Sequence, residues 1–504
     1  MDAARGGRFN MPTTDDVPTL LETLERRLVL SGEGLDCTIY SPEGFAHDGV
    51  TEIVTISNLG EEAASFELDA HYEFGERDQM IASGTLSPGE VREIVLAIAG
   101  DPGSMVVRRV TPFSLELRSD ELLAATLRHD DFGGMSVRAF QAEISTDWVF
   151  ANVAKGPDEG RDFVVFFNPN DEAIEVTLTG VDGDGNTFEL VQTVEARRRA
   201  GWSLRHESEV PQGLLGSTLK ADQPVIASRS HYMPKFSIAI GQAGIPDGGA
   251  LAGTFLNLKF DDDLSNDKKG DDNNGIGNGN GNGNGNGNGK GQDNFLASFL
   301  MLYNPGDQDA QVLVTFINQD DDPPPVMVEP TTIIVEAGAM SKTTFASLGL
   351  PLDREMSMIF ESDLRIAATA EIKRKGQTFG LTAETRAATN WQFAGPAVDV
   401  IEDGTLRTED VFLMNPTGDA ISVKVRFTFS NGEVVEQTLV LDSLEVKSID
   451  AEIFVGNEDV TFGVTVISDA FSVAMLEHFE TLDDNGFAVA GIASGEIEPL
   501  HAVL

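Results

Sequence analysis

Four times along this chain an apolar run ends in an asparagine turn: Asn58-Leu59-Gly60, Asn168-Pro169-Asn170, Asn304-Pro305-Gly306 and Asn415-Pro416-Thr417. The asparagines stand 110, 136 and 111 residues apart. The long interval contains an Asn-Gly tract that accounts for its excess of about 26 residues. A period near 110 fits one β-sandwich per repeat, so the turn acts as a register mark for the whole sequence.

Strand signals align with that mark. Apolar runs Ile53 to Ser57, Phe163 to Phe167, Phe299 to Tyr303 and Val411 to Met414 lead into the turn, where in the last three copies proline stops the ladder. A strictly alternating strand follows: Phe66, Leu68, Ala70, Tyr72; Ile174, Val176, Leu178; Val312, Val314, Phe316; Ile421, Val423, Val425, Phe427. It ends in hairpin chemistry such as Asp182-Gly183-Asp184-Gly185 and Asn431-Gly432. Later an acidic residue, Asp120, Asp222, Asp363 or Asp469, precedes another β-rich run, and a Phe-containing strand closes the repeat at Phe236, Phe379 and Phe487. About seven strands per repeat predict an all-β chain of four tandem immunoglobulin-like sandwiches.

The expected divisions are an N-terminal segment 1–34, repeats at 35–143, 144–247, 248–387 and 388–496, and a tail 497–504. Thr146-Asp147-Trp148-Val149-Phe150-Ala151 parallels Thr389-Asn390-Trp391-Gln392-Phe393-Ala394. Junctions this short and apolar predict units stacked end to end in an extended array, a rod. The third repeat carries an insert, 261–294, with six consecutive Asn-Gly pairs and almost nothing to bury, which predicts a solvated, disordered loop.

With 82 acidic and 35 basic residues the formal charge is −47, a field that repels phosphate and makes nucleic acid and anionic membranes unsuitable partners. One cysteine, Cys37, excludes an internal disulfide and a cysteine-based zinc site. No run of 18 apolar residues occurs, so no transmembrane segment is expected.

Val17, Leu20, Leu21, Leu24 and Leu28 fall at helical spacing, predicting a short N-terminal amphipathic helix. Within it, Leu24-Glu25-Arg26-Arg27-Leu28-Val29-Leu30-Ser31 resembles the LEPR-xLL N-terminal sequence of exported or cell-surface planctomycete proteins; Arg26 stands for the usual proline and Val29 for the first leucine of the final pair. That resemblance implies export. The Trp-x-Phe-Ala junctions, the Asn-Pro turns and Pro224 to Arg229 (Pro-Val-Ile-Ala-Ser-Arg) resemble bacterial Ig-like repeats of secreted and surface proteins. The resemblance covers nearly all of residues 37 to 495, the first copy keeping only Asn58 and Gly60 of the turn, and implies a structural or adhesive role, with no catalytic residues to carry over.

Chemical constellations are few. Asp182, Asp184 and Asn186 open like an EF-hand loop, but Thr187 replaces the required glycine and Thr193 the final glutamate, so a hairpin turn is the stronger reading and calcium binding a weak one. Asp261, Asp262 and Asp263 are a second weak calcium candidate. His129, His231 and His478 share one slot that holds Ile372 in the third repeat, which marks them as packed strand residues rather than general bases. Trp148, Trp202 and Trp391 read as core before sugar platforms. No nucleophile elbow, P-loop or zinc motif is present.

These readings predict a non-enzymatic, secreted or cell-surface structural or adhesive protein without a cofactor, whose partners are surface or matrix proteins or polysaccharide. A calcium-dependent or carbohydrate-binding protein is the alternative, and a β-sandwich hydrolase the remote third.

Overall fold

The structure, a computed structural model, describes residues 35–504 apart from 76–77, 99–102, 132–133, 157–159, 234–237, 260–297, 320–327, 352–353, 375–376, 399–406, 456–459 and 481–485. The expected N-terminal helix and the whole of the Asn-Gly insert lie outside the described residues.

The chain is all-β, and its strand pairing repeats four times. In the second unit the strands run Ser145–Lys155, Arg161–Asn168, Ile174–Asp182, Thr187–Val194, Arg198–Ser203, Gly213–Met233 and Ile238–Ala243. One sheet orders them fourth, third, sixth, first. The other orders them fifth, second, sixth, seventh. The sixth strand therefore belongs to both sheets: its first half pairs with the third, and its second half, from Ile226 on, with the second and seventh. The third unit has the same order across Met356–Arg374, and the fourth across Val460–Glu480. The first unit breaks this strand into Phe113–Ser119 and Ala124–Asp131.

The pairings of second with fifth and third with sixth are those of the immunoglobulin sandwich. The departures are the first and fourth strands, which lie in the sheet of the third, and the sixth strand, which runs on into the opposite sheet and pairs there with the seventh. The crossing point of the sixth strand is the late aspartate. Asp120, Asp222, Asp363 and Asp469 each accept a hydrogen bond from a backbone N–H of the third strand, at Ser65, Glu175, Gln311 and Ser422.

The turn asparagines are fully buried. Asn168 Nδ2 donates to the carbonyls of Glu172, Val194 and Glu195, and its Oδ1 accepts from Asn170 N. Asn304 and Asn415 repeat this set, tying the end of the second strand to the end of the fourth. An amide is needed because one side chain must both donate and accept.

The expected rod does not form. Each unit lays its first sheet on the second sheet of the next, and after four units the arrangement closes. Phe167 of unit two meets the rings of Tyr40 and His71 of unit one. Val149, Ala151 and Val181 of unit two share a core with Met301, Tyr303 and Ala367 of unit three. Phe412, Met414 and Met475 of unit four enter the core of unit three. Ala394 and Ile492 of unit four enter that of unit one. The physical reason lies in the second strand, whose alternate residues face opposite ways. Phe166 packs on Trp202 within its own unit while Phe167 packs on the preceding unit. A rod leaves half of these apolar residues in water, whereas head-to-tail closure buries them.

Candidate functional site

The repeated histidine slot has a partner that the sequence pattern hid. Six residues before the turn asparagine stands an acid in three units, and antiparallel register sets Glu52 opposite His129, Asp162 opposite His231 and Glu409 opposite His478. His129 Nδ1 lies 2.8 Å from Glu52 Oε1, His231 Nδ1 lies 3.0 Å from Asp162 Oδ2, and His478 is hydrogen bonded to Glu409. The third unit has Ser298 and Ile372 in these two positions. Acid and imidazole are replaced together, as expected when either alone leaves a buried group without its partner.

Burial pushes the Glu52 carboxyl above its ordinary range, only partly countered by His129 and the Phe45 N–H. Burial draws His129 down, but Glu52 and then Glu43 outweigh it and the imidazole is raised. Burial likewise opposes the charge on Asp162, yet Arg229 and His231 prevail and its pKa is lowered. Such dyads resemble the orienting half of a catalytic triad. Here, however, His129 Nε2 has no hydrogen-bond partner among the described residues, and His129 and Glu52 are almost entirely sealed from solvent.

Around the dyads of units one and two a buried polar network crosses the unit junction. Arg138 Nη2 donates to Ser230 Oγ at 2.9 Å, Ser230 Oγ donates to Glu43 Oε2 at 2.5 Å, and Tyr232 OH donates to Glu43 Oε1 at 3.3 Å. Burial opposes ionisation of Glu43, but Arg138, Arg199 and His129 hold its pKa below the usual value. Arg138 lies against Gly241, where a Cβ would come within 1.9 Å of Nε. Only glycine permits that approach.

Continuing inward, Arg229 Nε donates to Asp162 Oδ1 at 2.7 Å and its Nη1 to Gln242 Oε1 at 2.7 Å, an oxygen that also accepts from Asn152 Nδ2 at 2.7 Å.

The seventh strands, Gly134–Ala139, Ile238–Ala243, Gln377–Thr382 and Gly486–Ala490, stand side by side around the centre of the ring. Where they end, all four units line a cavity of about 180 Å³. Arg138 and Phe140 come from unit one, Gln242 from unit two, Thr382 and Glu384 from unit three, and Ala490 and Ile492 from unit four.

Residues singled out from the sequence fall elsewhere. Asp182 Oδ1 accepts from the N–H groups of Asp184 and Asn186, and its Oδ2 from Asn186 Nδ2, so these three form a hairpin turn around one carboxylate. The Asn186 side chain, then backbone N–H groups, hold Asp182 below the ordinary carboxylate range. Asp261, Asp262 and Asp263 lie outside the described residues. Among the described residues no group of three or more His, Cys, Asp or Glu comes together to hold a metal ion, and no helix is long and apolar enough to cross a membrane. Trp148 and Trp391 are buried, with Trp148 Nε1 donating to the carbonyls of Ser145 and Val225, and Trp391 Nε1 to that of Ser472.

No family model matches the chain, and no curated protein matches it. Among solved structures it is similar to the crystal structure of a tetra-tandem repeat in the extending region of a large adhesion protein, at 12% identity over 88% of this chain and 93% of that one, with a TM-score of 0.11. A likeness at that level carries no argument about function.

Proposed function

We propose that this chain is a non-enzymatic structural or adhesive protein of the bacterial exterior, built from four immunoglobulin-like sandwich units closed into one block. Ring closure is the observation that carries the reading. Each unit presses both of its outer sheet faces on its neighbours, so what remains for a partner is a set of loops and edge strands held at fixed positions on a stiff body. The buried acids and imidazoles face one another within the block rather than an open cleft. A charge of −47 keeps such a body soluble and repels others of its kind. Surface proteins, matrix proteins or polysaccharide are the partners suited to those rims.

Export rests on the LEPR-xLL-like sequence of residues 24 to 31. Fractionation of the native cells with an antibody to the folded block tests it. Recovery from the medium or from the surface-protein fraction supports the reading; recovery from the cytoplasm alone contradicts it.

A further inference from the structure

We propose that the closed ring opens at one place, the seam between units one and two, while its other three seams stay shut. The inference concerns the block itself and is independent of the surface role. It stands on a difference in what the four seams are made of.

Three seams are apolar. Val149, Ala151 and Val181 share a core with Met301, Tyr303 and Ala367 between units two and three. Phe412, Met414 and Met475 of unit four enter the core of unit three. Between units four and one, Met135 and Val137 of unit one join the core of unit four, and Ala394 and Ile492 of unit four join that of unit one. Separating such faces returns buried apolar area to water, and nothing offsets that loss.

The seam between units one and two is charged from end to end. At its outer end the basic triplet Arg197-Arg198-Arg199 of unit two lies against the first sheet of unit one. Arg197 Nη1 donates to Glu116 Oε2 at 3.1 Å, Arg198 donates to the carbonyls of Tyr72 and Gly75 at 3.0 and 2.6 Å, and Arg199 pairs with Glu73. At its inner end Ser230 and Tyr232 of unit two hold Glu43 of unit one, and Arg138 reaches Ser230. The ring contacts between the two units are Phe167 with Tyr40 and His71, and Tyr232 with His129; every ring but Phe167 carries a polar group. No apolar core cluster among the described residues draws on both units. Glu116 and Arg199 are buried, so they lost hydration on entering the seam and recover it when the seam parts, which offsets much of what their pairing contributes. No such recovery helps an apolar seam to open. When this one parts, unit one stays on unit four, and the ring becomes an open C that bares an arginine triplet on a chain of charge −47.

One register position reports on all four seams. Three residues before each turn asparagine stand Thr55, Val165, Met301 and Phe412, each buried on the face of the second strand that meets the preceding unit of the ring. Each is replaced singly by cysteine in the full chain carrying Cys37→Ala, and labelling by iodoacetamide, a neutral reagent, is followed by mass spectrometry under native conditions. Scaled to the rate in the unfolded chain, Val165→Cys should label at least about tenfold faster than the other three. Val165→Cys and Thr55→Cys nearly conserve volume, so their comparison decides even where Met301→Cys or Phe412→Cys loosens its own seam or fails to fold. Glu73→Ala, which leaves Arg199 without its anion, should speed the labelling of Val165→Cys about tenfold more and leave Thr55→Cys unchanged. Labelling of Val165→Cys no faster than that of Thr55→Cys, equal labelling at all four positions, or a Glu73→Ala effect of the same size at both overturns the proposal.

Discussion

Thr126 Oγ1 donates a hydrogen bond to the carbonyl oxygen of Ala394 at 3.3 Å across 268 residues of sequence. Thr126 belongs to the sixth strand of unit one and Ala394 to the first strand of unit four, so this contact joins the ends of the array. Gly463 of unit four sits beside it, where a Cβ would lie 2.6 Å from Leu59 Cδ2 and 3.2 Å from Ser57 Oγ. The surfaces that meet here are the same two that meet at the other three junctions, one sheet of each kind. A heterologous interface of this sort either propagates into a filament or closes, and four copies in one chain close.

The turn after the fourth strand holds left-handed backbone in every unit: Gly89 at φ 75, Arg197 at φ 54, Gly338 at φ 62 and Leu444 at φ 57. Two units use glycine there and two do not. Leu444 is 42% exposed, so its side chain contributes little packing to offset the strain. Leu444→Gly should raise stability by about 1 kcal/mol, measured by chemical denaturation. A decrease of that size would show that the side chain matters more than the backbone.

Unit three supplies the control for the acid–imidazole pairs. His478→Ala should destabilise the protein by about 3–5 kcal/mol, because Glu409 is left buried without the imidazole. Glu409→Ser combined with His478→Ile copies unit three and should cost no more than about 1–2 kcal/mol. A double variant as unstable as the single one would mean that the pair is not the unit of stability.

His71 of unit one contacts Glu116 at 3.5 Å and Asp78 at 2.8 Å, and Glu116 accepts from Arg197 of unit two at 3.1 Å. Burial lowers the His71 pKa, but Glu116 and Asp78 outweigh it and the net shift is upward from 6.5. Burial raises the pKa of Glu116, but His71, Arg197 and Arg118 outweigh it and the net shift is downward from 4.5. The His71 contribution is complete below pH 6.5 and is lost as pH rises through its folded value. The Glu116 contribution is complete above pH 4.5 and is lost as pH falls through its folded value. Between pH 4.5 and 6.5 both are complete. The melting temperature of the native chain should therefore exceed that of Glu116→Gln by the largest margin, about 2–4 °C, in that window, and by less at pH 8. A margin that grows from pH 6 to pH 8 would contradict the assignment.

Local structure was legible in the sequence because its determinants are local. The asparagine turns, the alternating third strands and the Asp-Gly hairpins all appear where their chemistry puts them, and Trp148 and Trp391 are core residues. Closure was written less plainly. Phe163 to Phe167, Phe299 to Tyr303 and Val411 to Met414 are continuous apolar runs, the mark of strands buried on both faces, and that signal already argued against a rod. The acid–imidazole pairs were hidden by distance, since 77 residues separate Glu52 from His129 and 69 separate Asp162 from His231. The departure from immunoglobulin order was hidden in the sixth strand, because a strand that changes sheets has the same residue pattern as two strands in succession.

Small-angle scattering in solution tests the closed ring most directly. A compact chain of 504 residues has a radius of gyration of about 23 Å. Four sandwiches of roughly 35 Å set end to end would give about 40 Å. Closure predicts a value below about 30 Å with a single-peaked distance distribution. A value near 40 Å with a long tail would contradict it.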